Sequence, residues 1–260
     1  MNQSNGLREA LEYDEVVYGA RASTFSPTVI EVYGTLGIDF VWLDFEHTGP
    51  SPYDSLVFED LTRAAEARGT ELFVRLPSGD PPLIRKALAA GVRTLLLPRV
   101  ASAEEVRTAV EATRFVYDGA PGERGKASGR SSNWGAASDS VATEDQSVCL
   151  GVMIEKTTAV DDLEAILDIP ELGFVFIGPS DLSVQMGHPE NKTHREVVAQ
   201  IDSIREACLE ADVPVGGIRT DPERIAEAEA QGYQILRIGG DLGSIKQTLG
   251  SRLSAVRGDD

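Results

Sequence analysis

Eight short apolar runs punctuate the chain, separated by longer stretches whose apolar residues recur at helical spacing. The runs are Val16–Ala20, Phe40–Asp44, Glu71–Arg75, Thr94–Pro98, Val148–Ile154, Phe174–Gly178, Val213–Gly217 and Ile235–Gly239. Their near-continuous apolar character suits parallel strands covered on both faces. The intervening segments carry helix punctuation. Ser51-Pro52 supplies a cap and a first-turn proline, and Gly69 closes that helix. Asp80-Pro81 opens the next, and Gly91 ends it. Ser102-Ala103-Glu104-Glu105 is a capping box, and Thr158-Ala159-Val160-Asp161 has the same spacing. Pro222 starts a helix that stops before Gly232. Eight strand–helix units in 260 residues predict one α/β domain spanning 1–260, a closed (β/α)₈ TIM barrel. A doubly wound open sheet is the rival arrangement. One connection is irregular: Asp118–Ala137, rich in Gly, Ser and Ala, reads as a long loop near the barrel mouth.

Composition narrows the setting. The formal net charge is −18, so nucleic acid and anionic membranes are set aside as partners. Lysine occurs only at Lys86, Lys126, Lys156, Lys192 and Lys246. An acidic, lysine-poor surface resembles that of proteins from salty cytoplasm, where salt screens self-repulsion, so the chain reads as salt-adapted. Met1–Glu15 is polar and acidic, unlike a signal peptide, and no run of about 18 apolar residues suggests a membrane span. Cys149 and Cys208 make no disulfide framework, and the expected compartment is the cytoplasm.

In such barrels chemistry gathers at the C-terminal ends of the strands. There the sequence offers Asp44 and His47 after the second run, Arg75 ending the third, Glu155 after the fifth, and Gly178-Pro179-Ser180-Asp181 after the sixth. Glu155 and Asp181 are hard oxygen donors with no Cys or His beside them, which suits Mg²⁺ or Mn²⁺, with Co²⁺ as a further option, and leaves positions open for substrate. The Gly178–Asp181 turn opens a helix whose free N–H groups and positive dipole end suit a carboxylate. Lys156 follows Glu155 directly, so in an extended chain it points to the opposite face, which argues against a Schiff base. His188 and His194 fall in a polar connection and are expected in solvent.

These residues resemble the HpcH/HpaI class II aldolases, relatives of 2-keto-3-deoxy-sugar-acid and 4-hydroxy-2-oxoheptanedioate aldolases. The likeness runs from about Val16 to Leu253. It rests on Gly37-Ile38-Asp39-Phe40-Val41-Trp42-Leu43-Asp44-Phe45-Glu46-His47, Val74-Arg75 and Phe176-Ile177-Gly178-Pro179-Ser180-Asp181-Leu182-Ser183, with Gly122-Glu123-Arg124-Gly125 and Asn133-Trp134-Gly135 in the loop. The resemblance implies a metal held by Glu155 and Asp181, a proton shuttle at His47 oriented by Asp44, and Arg75 on the keto oxygen. It further implies a pyruvate carboxylate on the backbone of Ser180 and Asp181. The expected reaction is reversible retro-aldol cleavage of a 2-keto-3-deoxy acid into pyruvate and an aldehyde through a metal-stabilised enolate. The expected assembly is a homotrimer or homohexamer exchanging its C-terminal helix. Three departures stand out: Met153-Ile154-Glu155 where relatives often read Gln-x-Glu, Ala89-Ala90 where some carry an Asp before Gly91, and Gly19-Ala20-Arg21-Ala22-Ser23 where many have a tryptophan. Two other readings keep the barrel. A malyl- or citryl-CoA-type thioester lyase would use Arg124, Arg130 and Arg219 as phosphate contacts near the mouth. A non-catalytic barrel would only bind a keto acid.

Overall fold

The computed structural model describes residues 5–136 and 140–258, so Ala137, the last residue of the expected loop, and the first four residues of the polar N-terminus lie outside the described residues. Eight parallel strands close on themselves: β1 (Val17–Arg21), β2 (Phe40–Asp44), β3 (Glu71–Arg75), β4 (Thr94–Leu97), β5 (Cys149–Ile154), β6 (Leu172–Ile177), β7 (Val215–Ile218) and β8 (Ile235–Gly240). They run in sequence around the ring, with β8 hydrogen-bonded to β1. The sheet is therefore the closed barrel, not the open doubly wound alternative.

Strand alternation creates two apolar layers. Outward residues such as Val41, Leu43, Leu72 and Val74 pack beneath the helices. Inward residues fill the barrel with aromatic rings: Phe40, Trp42, Phe73, Phe174 and Phe176. Trp42 stacks on Phe73 with centroids 4.9 Å apart, and Phe176 meets Trp42 edge-on at 5.0 Å. This packing leaves no room on β1. A Cβ at Gly19 would sit 2.0 Å from the Phe40 ring. The floor is plugged by the helix Gly6–Glu12, whose Leu7 and Leu11 complete the inner cluster. Asn5 caps that helix and ties it down, its Nδ2 donating to Thr94 Oγ1 at 2.9 Å and Ser147 O at 3.0 Å.

Helix punctuation is followed at some sites and overridden at others. Ser102 accepts from Glu105 N at 3.3 Å as the box requires, while the Glu105 side chain reaches one residue past the cap, to Ala101 N at 2.9 Å. The Ser51-Pro52 helix begins later, at Ser55, because Asp54 takes the cap by accepting from Leu56 N. The Thr158 box does not form. Its segment breaks into Thr157–Asp161 and Leu163–Leu167, and Asp162 instead accepts from Ala103 N at 2.6 Å.

The irregular connection is not at the mouth. It leaves the C-terminus of helix Ala103–Thr113 and leads into β5, so it belongs to the N-terminal end of the barrel, the floor. It is also structured, with a small hairpin pairing Val116–Tyr117 with Ala120–Pro121 and a helical turn at Asn133–Gly135. Arg124 and Arg130 are buried there, paired to Glu144 and Glu66.

Candidate active site

At the mouth, β2 and β3 place two charges side by side. Register pairs Asp44 with Arg75, and alternation turns both inward above Trp42 and Phe73. Asp44 is 1% exposed and accepts a parallel pair of bonds from Arg75, Nε to Oδ1 at 2.9 Å and Nη2 to Oδ2 at 2.7 Å. Arg21, at the end of β1, brings Nη2 to 3.1 Å from the same Oδ2. Burial pushes the Asp44 carboxyl up. The Arg75 bonds and the charges of Arg75 and Arg21 outweigh it and hold the group below the ordinary carboxylate range.

The expected Asp44–His47 partnership differs in the structure. Asp44 meets His47 only by accepting from the His47 backbone N–H, and its carboxylate oxygens otherwise serve the two guanidinium groups and the Glu46 N–H, 3.2 Å from Oδ1. The carboxylate beside the ring is Glu46, whose Oε2 lies 3.3 Å from His47 Nε2. The same oxygen is 2.9 Å from Arg75 Nη1, close enough for an ion pair although the angles miss hydrogen-bond geometry. Burial raises the Glu46 carboxyl, with Arg75 and His47 opposing it. The His47 side chain is 62% exposed, open to the mouth. Asp44 thus positions Arg75, a bidentate task that fits a carboxylate and a guanidinium better than an imidazole.

Across the barrel, Glu155 follows β5 and is 2% exposed. Its Oε1 accepts from the Arg99 backbone N–H at 2.7 Å, and no salt bridge to it occurs among the described residues. Burial, with the like charges of Asp181 and Glu46 nearby, pushes it up to about 7, against the opposing Arg99 bond and Arg75 charge. Gly178 makes room for it, since a Cβ there would lie 2.6 Å from Glu155 Oε2. Asp181 occupies the first turn of helix Pro179–Gln185 and is exposed. Gly178 offers no side-chain cap, Pro179 has no N–H, and the N–H groups of Ser180 and Asp181 have no acceptor earlier in the helix.

Other expectations fall out as follows. Lys156 is half-buried as the N-cap of helix Thr157–Asp161, where no side-chain cap bond forms. Cys149 and Cys208 are free and buried, burial raising both to about 12. His188 and His194 are half-buried rather than solvent-exposed, stacked at 3.6 Å, with His188 Nε2 3.0 Å from Glu196. Arg219 does follow β7 at the mouth end, but it folds over Tyr233, 5.0 Å from the ring, and bonds the Ile218 carbonyl. With Arg124 and Arg130 at the floor, the basic groups expected for CoA phosphates are dispersed.

Three residues of the mouth escaped the sequence reading: Glu46, Arg21 and Arg237. A signal existed for Arg237. Counting alternate positions from Ile235 along β8 points an arginine into the barrel, where its guanidinium lies 5.5 Å from the Trp42 ring.

A parallel eight-stranded barrel carries at its C-terminal mouth a buried carboxylate, a second acidic group at a helix start and an anchored arginine, at the end where barrel enzymes keep their chemistry. The chain belongs to the HpcH/HpaI aldolase/citrate lyase family, whose model matches residues 20–248. It is 33% identical over 257 residues to a hydroxypyruvate/pyruvate aldolase of Roseovarius nubinhibens, covering 99% of this chain and 98% of that one. It is 32% identical to the 2-keto-3-deoxy-L-rhamnonate aldolase of Escherichia coli K12, over 98% of this chain and 94% of that one. Among solved structures, an HpcH/HpaI aldolase/citrate lyase family protein from Burkholderia cenocepacia superposes with a TM-score of 0.90 at 30% identity, covering 98% of this chain and all of that one. The chain is a carbon–carbon lyase.

Proposed function

We propose that the chain is a divalent-metal-dependent aldolase that reversibly cleaves a 2-keto-3-deoxy acid into pyruvate and an aldehyde. The observation that carries this reading is Glu155. It is a buried carboxylate with no salt bridge among the described residues, fixed by a backbone N–H, and pressed by the charges of Asp181 and Glu46, with the Arg75 charge opposing them. Such a group fits a cation. Glu155 and Asp181 would hold it, and their hard oxygens favour Mg²⁺ or Mn²⁺. A bound divalent ion supplies Lewis-acid polarisation of the keto group.

The chain's own residues would do the rest. The N–H groups of Ser180 and Asp181 receive the keto-acid carboxylate at the helix start. In the cleavage direction, His47 accepts the proton of the hydroxyl on the aldehyde-derived carbon. The carbon–carbon bond breaks, its electron pair enters the keto-acid half, and negative charge collects on the former keto oxygen. Arg75 faces that charge. Its Nε and Nη2 are occupied by Asp44, leaving Nη1, which faces Glu46 Oε2 at 2.9 Å and Met153 Sδ at 3.9 Å, as the donor that would turn to substrate. A donor fixed before charge develops is commonly worth about 10²–10³ in rate. A proton then returns to the methylene carbon to give pyruvate.

Exposed apolar residues on helix Asp241–Arg257, among them Ile245, Leu249 and Leu253, support assembly into an oligomer through that helix. The test of the reaction is cleavage of 2-keto-3-deoxy acids with pyruvate detected by a lactate dehydrogenase couple, beside detection of acetyl-CoA released from malyl- and citryl-CoA. Pyruvate release without acetyl-CoA formation is the expected result. Acetyl-CoA formation, with glyoxylate or oxaloacetate, as the faster reaction would replace this reading with the thioester lyase.

A further inference from the structure

We infer that the mouth carries a second, anion-binding subsite built on Arg237 and Arg21, and that the aldehyde partner bears a carboxylate or phosphate group that binds there.

Arg237 leaves β8 at an inward position and crosses the Trp42 ring. Its Nε is buried with no hydrogen-bond partner, and it forms no ion pair among the described residues. Burial, reinforced by the charges of Arg21 and Arg75, lowers its pKa to about 10. Arg21 is half satisfied. Its Nη2 is shared between Asp44 and Thr48 Oγ1 at 3.2 Å, while its buried Nε has no partner. Asp44 is the carboxylate acting on Arg237, and it is already divided between Arg75 and Arg21. Three guanidinium groups therefore draw on Asp44, and of the three only Arg75 has a second carboxylate close by, Glu46 at 2.9 Å. A cation–π contact offsets only part of the cost of burying such a charge.

The space beside these groups is shaped for a ligand. A cavity of about 690 Å³, within the usual range for small-molecule sites, is lined by Arg21, Arg237 and Lys246 and by the hydroxyls of Ser23, Thr48 and Ser244. No carboxylate lines it, although the chain carries 42 acidic residues against 24 basic ones. The 17-residue helix Asp241–Arg257 starts at its wall, but its own Asp241 accepts from Leu242 N–H at 2.8 Å, so the positive charge of the cavity comes from its side chains rather than from the helix end. Arg75 and Arg237 lie over the same indole, 5.7 and 5.5 Å from its centre, so the subsite adjoins the keto-acid position. That is where the far end of an acceptor would reach. Phosphate and carboxylate both answer to this chemistry.

The identity of the ligand rests on the aldolase reading, and the experiment separates the two. The Mn²⁺-loaded protein and its Arg237→Gln and Arg237→Lys variants are assayed for addition of pyruvate to succinic semialdehyde, glyceraldehyde 3-phosphate and neutral glyceraldehyde. Each protein is also titrated with succinate and with inorganic phosphate by calorimetry and thermal melting. The wild type is expected to favour an anionic acceptor over the neutral one by about 10- to 100-fold in kcat/KM, a charge-assisted bond's worth. Arg237→Gln should lose that preference, chiefly in KM, and Arg237→Lys should regain part of it. The anion whose discrimination falls further identifies the group. Succinate or phosphate should raise the wild-type melting temperature and not that of Arg237→Gln, which itself melts no lower than wild type because the charge it removes is unpaired. Equal loss on all acceptors, an intact preference in Arg237→Gln, or a variant unable to exchange pyruvate methyl protons would overturn the subsite. Absence of that exchange in the wild type would instead refute the aldolase reading, and the succinate and phosphate titrations would still decide the subsite.

Discussion

At the floor of the barrel arginines meet carboxylates: Arg124 pairs with Glu144, Arg114 with Glu171 at 3.1 Å, and Arg130 with Glu66. At the mouth the matching is partial, with Asp44 and Glu46 serving Arg75 and Arg21. Arg237 has no carboxylate of its own, and Glu155 and Asp181 have no cation among the described residues. Both ends bury charge, which costs several kcal/mol per ion when unpaired. The floor offsets that cost within the chain and holds the irregular segment 114–136 against the barrel. Under the proposed function, the mouth leaves it to be offset by the cation and substrate that bind there. The difference divides the molecule into a part built for stability and a part built for chemistry, as the barrel's two faces generally are.

Breaking the mouth should therefore cost activity and breaking the floor should cost stability. The largest effect is expected from Glu155→Gln. Removing the buried anion should lower kcat by about 10³-fold or more and abolish Mn²⁺ binding in a calorimeter, with the melting temperature of the metal-free protein unchanged or raised. Asp44→Asn comes next. It leaves Arg75 without its bidentate clamp, and we expect kcat to fall about 10²-fold with a smaller change in KM. At the floor, Arg124→Met should cost about 3 kcal/mol in denaturant unfolding, since it strands buried Glu144, while kcat stays near wild type.

The smallest effect is a pH slope. Burial pushes Glu71, beside Arg93 at the floor, up to about 7. A carboxyl raised on folding holds its proton more tightly in the native state. Its stabilising contribution is complete below the unfolded value near 4.5 and is lost as pH rises through about 7, at roughly 1.4 kcal/mol per pH unit at most. Urea titrations across that window should show a shallower fall in Glu71→Gln than in wild type.

Much of this asymmetry was legible beforehand. Strand runs such as Phe40–Asp44 and Glu71–Arg75 coincide with β2 and β3, because residues buried on both faces leave an unbroken apolar signature. Asp44, Arg75, Glu155 and Asp181 stood out because polar residues ending such runs sit at the mouth. Two things were harder to see. The loop's end of the barrel follows from connectivity, a helix-to-strand link, and its Gly-rich composition hid that. Pairing is not written locally either. That Asp44 holds Arg75, and Glu46 rather than Asp44 approaches His47, depends on the register between neighbouring strands and on the turn after β2. Arg237 lies inside an apolar run that masks it, although its parity points it inward.

The central claim is that Glu155 and Asp181 hold a cation against a bound 2-oxo acid so that charge can gather on its oxygen. Proton NMR of pyruvate in D₂O tests it most directly. Methyl signal should vanish with wild-type protein and Mg²⁺, persist after EDTA, return to exchange on adding Mg²⁺ back, and persist throughout with Glu155→Gln. Exchange that continues at the same rate in EDTA, or in Glu155→Gln, would contradict it.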